Sequence, residues 1–311
     1  MEYSYKSKDS VSTVHAVKWE PEGPVKGVLQ LVHGMMEYIE RYDEFARYMS
    51  ARGFVVAGHD HIGHGHTAKD VSELGLMHSD DPSGVMVEDI YENYSILKKE
   101  YPDVPYFILG HSMGSYMLRK FLSVKTNELS GLNGAIIMGT GSELPALLYA
   151  GRALIGMMLK VKDRDYKSDF VKGLMFNSYY KEFDIDGINH EKSWLSRDVE
   201  LVKKYYNDEF CVFKFSINGY RGLVDSTIFD NKQSNIDKIR KDLPILFISG
   251  SKDPVGGQSD GVKKAYDKFV KAGIKKVDIK LYEGMRHEVL NEVGRDEVYA
   301  FLYEWIMQNV K

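Results

Sequence analysis

The sequence predicts an α/β fold: a mostly parallel central sheet flanked by helices on both faces, with an inserted helical segment. Three observations carry this. Short apolar runs alternate with helix-length segments in the first and last parts of the chain, the pattern of a sheet covered on both faces. The pentapeptide Gly110-His111-Ser112-Met113-Gly114 stands where a strand-like run gives way to a helix-like one. Residues 142–215 break the alternation and are rich in apolar and aromatic side chains.

In chain order, the first strand-like runs are residues 11–19 (VSTVHAVKW) and 25–32 (VKGVLQLV), joined around Pro21-Glu22-Gly23-Pro24. A short turn joins antiparallel neighbours, so the sheet is expected to open with a hairpin of these two. YDEFARYMSARG then reads as a helix, FVVAGHD as a strand and VMVEDIYENYSILKKEY as a helix. PYFILG and LNGAIIMG are strands on either side of the helical run MGSYMLRKFLSVK. After the insertion come the strand PILFISG, the helix DGVKKAYDKFVKAG, the strand VDIKLY and a closing helix, DEVYAFLYEWIMQ.

A G-x-S-x-G between strand and helix is the pattern of a nucleophile elbow, a strained turn that lifts a serine hydroxyl into a site. Its glycines avoid clashes that a side chain would make on either side of the crowded serine backbone. A helix starting straight after Ser112 leaves N–H groups unpaired and aimed where an oxyanion would form. A serine nucleophile needs a base, and the base an orienting acid. Asp253 follows the PILFISG strand and His287 follows VDIKLY, giving the order Ser, Asp, His that this arrangement requires. Both lie just beyond strand carboxyl ends, the edge where open α/β sheets build sites. A second oxyanion donor is expected from an early strand-to-helix loop, here His33-Gly34-Met35. The backbone N–H groups of Met35 and Met113 are therefore the expected oxyanion hole, with His33 and His111 as structural histidines.

HGMMEYIERY, GHDHIGHGHT, GHSMGS, SGSKDPVGG and MRHEVLNE, in that order, resemble the signature blocks of the monoacylglycerol lipase and lysophospholipase branch of the α/β-hydrolases, a branch also labelled serine aminopeptidase-like. The resemblance runs from about residue 10 to the C-terminus. It implies an α/β-hydrolase fold with Ser112 as nucleophile, Asp253 as acid, His287 as base and Met35 with Met113 as oxyanion donors. It also implies hydrolysis of single-chain lipid esters (monoacylglycerols or lysophospholipids), with a short-chain carboxylesterase, an aminopeptidase of the same fold or a non-catalytic ligand-binding homologue as the alternatives. Many relatives carry histidine where this chain has Tyr38, a difference that bears on leaving-group preference.

The length of 311 residues accommodates one α/β core, residues 1–141 and 216–311, with a helical cap at 142–215. A net charge of −4 lacks the basic excess of a nucleic-acid binder. The N-terminal residues contain no apolar core of signal-peptide length, and the lone Cys211 allows no internal disulfide. Together these lead to the expectation of a cytoplasmic location. Four of the ten histidines fall in residues 59–66. Their spacing fits neither HExxH nor a structural zinc motif, so this loop is read as a rim held by Asp60, and neither metal nor cofactor is expected. Glu37 and Arg41, four residues apart, read as an ion pair on a helical turn.

The cap begins with SELPALLYAGRALIGMMLK, where Leu144, Leu147, Leu148, Leu154, Ile155, Met157 and Met158 cover more than one helical face. Its remainder holds Phe170, Phe176, Tyr179, Tyr180, Phe183, Trp194, Tyr205, Tyr206, Phe210 and Phe213. Most of these are expected to pack the cap, while some line an acyl tunnel, with the first helix giving most of the contact. The cap's outer surface is expected to touch membranes transiently. The run SWLSRD, residues 193–198, reads as a capped helix start, with Arg197 and Asp198 structural.

Overall fold

A computed structural model of the protein describes residues 1–176 and 180–310. Eight strands form one sheet: β1 (Glu2–Lys6), β2 (Thr13–Trp19), β3 (Gly27–Val32), β4 (Phe54–His59), β5 (Tyr106–His111), β6 (Leu132–Met138), β7 (Ile245–Gly250) and β8 (Val277–Tyr282). Their spatial order is β1-β2-β4-β3-β5-β6-β7-β8. From β4 to β8 every neighbouring pair is parallel, while β1–β2 and β2–β4 are antiparallel. The helices are α1 (Asp43–Ser50), α2 (Pro82–Glu100), α3 (Met113–Val124), α4 (Pro145–Met158), α5 (Asp169–Met175), α6 (Val199–Tyr206), α7 (Ile217–Asn231), α8 (Gln233–Ile236), α9 (Asp260–Lys271) and α10 (Arg295–Met307).

The central strands β3, β4, β5 and β7 are buried along their whole length, so both faces must be covered by helices. One face packs on α2, α3, α7 and α9 through residues such as Ile90, Phe121, Tyr220 and Phe269. The other packs on α1 and α10 through Phe45, Met49, Leu302 and Trp305. Local signals start the helices. The Asp81 side chain accepts the Gly84 N–H at 2.9 Å ahead of Pro82, and the Asp198 side chain accepts the Leu201 N–H at 3.2 Å, each satisfying an orphan donor.

The expected hairpin of residues 11–19 and 25–32 does not form. β2 pairs instead with β1 and β4, and β4 separates β2 from β3. A strand as buried as β3 needs a partner on each edge, and β4 supplies one through the register Gly27↔Phe54 to Val32↔His59. Skipping one strand requires a span of about 10 Å, which the link at residues 20–26 covers easily at ~3.3 Å per residue. The hairpin that does open the sheet uses β1, whose tyrosines are tied to α2: Tyr5 OH donates to the Asp89 carbonyl at 2.9 Å. Among the described residues no helix is long and apolar enough to cross a membrane.

Candidate active site

β5 ends at His111 and α3 begins at Met113, so the turn between them is the single residue Ser112. Its backbone is held at φ 51° and ψ −122°, a conformation that costs a non-glycine residue about 1–3 kcal/mol. The neighbours explain how it persists. The Ser112 N–H donates to the Met138 carbonyl at 3.0 Å, and its carbonyl accepts the Ser115 hydroxyl at 2.6 Å. A Cβ on Gly110 would lie 2.5 Å from the Gly114 carbonyl oxygen, and one on Gly114 would run into the Val32 and His33 carbonyls. Both glycines are thus required by packing.

The loop after β3 closes against this elbow. A Cβ on Gly34 would come within 2.8 Å of the Ser112 Cβ. Met35 and Met113 border the same cavity as Ser112, and among the described residues neither backbone N–H donates to a protein acceptor. The first N–H groups of a helix have no intrahelical acceptor, so the Met113 amide is free to polarise a ligand. His33 holds the loop as expected: its Nδ1 lies 2.8 Å from the Gly34 carbonyl and its Nε2 accepts the His61 N–H at 2.9 Å. Burial keeps this imidazole below its ordinary pKa, despite nearby Asp60 and Glu37. Asp60 anchors the next loop by accepting the Ile39 and His66 N–H groups, each at 2.8 Å.

Asp253 and His287 meet after β7 and β8: Nδ1 of the imidazole lies 2.9 Å from the carboxylate Oδ1. The carboxylate also accepts the Ser249 hydroxyl at 2.8 Å and the Val255 N–H at 2.9 Å. Burial pushes the Asp253 pKa up, but His287, the hydroxyl and the amide together hold it below the ordinary value. The carboxylate therefore stays ionised and suits a hydrogen bond accepted from Nδ1–H, which leaves Nε2 with the free lone pair. His287 and Ser112 both border the corner after β6. A Cβ at Gly139 (φ 61°) would lie 3.1 Å from His287 Cε1, one residue beyond the Met138 carbonyl that receives the Ser112 N–H. The Trp194 ring stacks on the imidazole at 4.9 Å and 30°, and the His111 ring lies at 4.7 Å.

Beneath these residues is a buried ionic network. Glu37 accepts from the Gly34 N–H, from Tyr42 OH at 3.1 Å and from Arg41 at 3.0 Å, and lies 2.8 Å from His111 Nδ1. Arg41 clasps both Glu288 oxygens at 2.8 Å. Burial alone would raise the Glu37 pKa; His111 and Arg41 outweigh it and hold the carboxyl well below its ordinary range. The expected Glu37–Arg41 pair is present, but its links to His111, the Gly34 amide and Glu288 were missed, because they join residues distant in sequence. From the sequence alone, Trp194 is legible only as a cap aromatic.

The cavity in front of Ser112 measures about 790 Å³. α4 supplies Leu147, Leu148, Ala150, Gly151 and Leu154; the rest of its wall includes Phe176, Tyr180, Tyr205, Phe213 and Val224. Phe170 is instead 62% exposed, Tyr179 lies outside the described residues, and Met157 is exposed. Polar side chains on the wall include Tyr116 and Glu143, whose hydroxyl and carboxylate bond at 2.6 Å. Tyr38 borders none of it: its hydroxyl donates to Asp208 at 2.7 Å. Burial raises the Cys211 thiol far above its ordinary pKa, so this cysteine is inert. Another concavity, about 1000 Å³ around Trp19 and Arg52, contains none of these residues.

Sheet order, helix placement and the elbow define an α/β-hydrolase, and the chain is a serine hydrolase of the lipase and esterase type. It belongs to the family described as Serine aminopeptidase, S33, whose model matches residues 23–294. It is 25% identical to human monoglyceride lipase over 93% of this chain and 85% of that protein. It is 24% identical to Bacillus subtilis phospholipase YtpA over 90% of this chain and 95% of that protein. A thermostable carboxyl esterase from Bacillus coagulans, solved in complex with glycerol, superposes with a TM-score of 0.90 at 29% identity, covering 100% of this chain and 99% of that one.

Proposed function

We propose that the protein hydrolyses carboxylic esters of single-chain lipids, monoacylglycerols or lysophospholipids, with Ser112, His287 and Asp253 as its triad. The observation that carries the reading is the largely apolar cavity of about 790 Å³ bordered by Ser112, Met35 and Met113. Residues 142–215 are proposed as a cap over the core, since they contribute no strand to the sheet yet supply much of the cavity wall. Exposed Leu147, Tyr149 and Met157 on α4 suit transient contact of that cap with a lipid surface.

His287 Nε2 removes the Ser112 proton as the hydroxyl attacks the ester carbonyl. The Met35 and Met113 amides receive the tetrahedral oxyanion, and the loss of one such donor typically costs about 3–4 kcal/mol. Asp253 fixes the imidazole tautomer and stabilises the imidazolium. His287 then protonates the departing alcohol, and a water activated by the same imidazole releases the fatty acid. Trp194 stacked on His287 restricts rotation of the base between the two steps.

Each methylene buried contributes about 0.8 kcal/mol, close to fourfold in kcat/KM. A hydrolysis panel over nitrophenyl esters, monoacylglycerols and lysophospholipids of graded chain length tests this. Rates should climb with chain length until the cavity is full. A profile that peaks at acetyl or butyryl esters would instead mark a short-chain carboxylesterase, and preference for amino-acid anilides an aminopeptidase.

A further inference from the structure

Away from the cavity, four elements bring an unusual set of donors together. Glu2 on β1, His15 on β2, Glu40 in the turn after the Met35 loop and His66 in the glycine-rich loop form a chain of contacts centred on His15 and Glu40, and His15, Glu40 and Asp60 have ligand atoms within 4.8 Å of one another. Glu40 Oε1 lies 3.8 Å from His15 Nε2 and 3.7 Å from His66 Nε2, and Glu2 Oε2 lies 3.8 Å from His15 Nε2. On its other nitrogen, His15 Nδ1 meets the fully buried Asp60 carboxylate at 3.1 Å. That bond directs the Nε2 lone pair toward the glutamates. From these contacts we propose that Glu2, His15, Glu40 and His66 form a divalent-cation site, with Asp60 orienting His15 from behind and zinc as the cation its donors suit best.

Geometry supports this more than a set of surface ion pairs would. Zinc binds imidazole and carboxylate donors at about 2.0–2.2 Å in a tetrahedron, which places neighbouring donors roughly 3.3 Å apart. The three contacting pairs are wider by a few tenths of an ångström, and exposed Glu2 and half-exposed His66 would have to swing in by side-chain rotation to close the remaining gaps around His15 and Glu40. A histidine that ligates metal characteristically gives its second nitrogen to a carboxylate, the part Asp60 plays. Charge points the same way. Among the described residues, Glu2, Glu40 and Asp60 pair with no lysine or arginine. Glu40 Oε2 is buried without a hydrogen-bond partner. Two imidazoles with two carboxylates favour zinc over calcium or magnesium, which take oxygen donors.

The spacing argument in the glycine-rich loop could not reveal this set, because only His66 of that loop takes part. The other three, His59, His61 and His64, are buried. A cation here would staple the edge hairpin of β1 and β2 to the turn following the Met35 loop, so its effect falls on stability rather than on chemistry.

The test uses the full chain without a polyhistidine tag, stripped with chelator. Calorimetric titration with zinc chloride should give one saturable site per chain, and zinc should raise Tm by several degrees. Glu2→Gln and His66→Gln, both at accessible positions, should each weaken zinc binding by at least about tenfold while leaving Tm of the stripped protein and hydrolysis of a nitrophenyl ester unchanged. Glu40→Gln should abolish the zinc-dependent Tm rise. No saturable binding, or equal affinity in wild type and all three variants, overturns the proposal.

Discussion

Replacing Glu37 by alanine should damage catalysis and stability together, by amounts that follow from its contacts. The residue is 3% exposed and its carboxylate serves four partners: the Gly34 amide, Tyr42 OH, Arg41 and His111. Removing one partner of a buried ionic network typically costs about 3–5 kcal/mol, a large share of the 5–15 kcal/mol that holds a domain folded. Arg41 keeps Glu288, which places the loss toward the lower end. The Gly34 amide also loses the acceptor that fixes the turn leading into Met35. If the Met35 amide is half of the oxyanion hole, kcat should fall by about 10²–10³ with little change in KM. Glu37→Gln retains an acceptor oxygen but turns an amide N–H₂ toward donors, so it should fall between wild type and alanine on both scales. Urea melts and steady-state kinetics on a nitrophenyl ester, corrected for folded fraction, read the two effects. A Glu37→Ala protein with kcat within threefold of wild type and an unshifted urea midpoint would refute the reasoning.

Three further outcomes are expected. Asp253→Asn should lower kcat by about 10⁴ while the fold survives, as for an orienting acid that fixes the imidazole tautomer; a loss below tenfold would remove Asp253 from the triad. Gly139→Ala should cost roughly 1 kcal/mol in a urea melt for its positive φ, and at least tenfold in kcat through the contact with His287; wild-type kinetics would mean that this corner does not position the base. Burial, and then nearby His33, lower the pKa of His64 to about 3. The unfolded chain therefore binds that proton first, so the stability this neutral imidazole contributes is complete above about pH 6.5 and drains as pH falls toward 3. The wild-type advantage over His64→Gln should shrink by about 1.4 kcal/mol per pH unit on that acid limb, and parallel limbs would contradict it.

How much of this was legible in the sequence depends on whether the signal was local. Strands β3 to β7 were readable because apolar runs such as FVVAGH and ILFISG are buried on both faces, and β8 because VDIKLY alternates apolar and polar residues. The elbow was readable because its glycines answer to clashes within a few residues of Ser112 and with the β3 loop beside it. Strand order at the sheet edge was not. The link at residues 20–26 can close a hairpin or cross one strand, and the choice falls to β3, which needs partners on both sides. β1 escaped notice because EYSYK is polar and half exposed, its tyrosines tied to α2. α7 is buried around much of its surface and carries glycines that blur its helical signal. The Glu37 network and the stacking of Trp194 on His287 join residues far apart in the chain, and a single sequence carries no trace of such pairs.

Mass spectrometry of the protein after reaction with a fluorophosphonate tests the central claim most directly. One adduct per chain, mapped to Ser112, lost in Ser112→Ala and slowed by a long-chain monoacylglycerol, is the predicted result. A folded protein that stays unlabelled, or carries the adduct on another residue, would contradict the account.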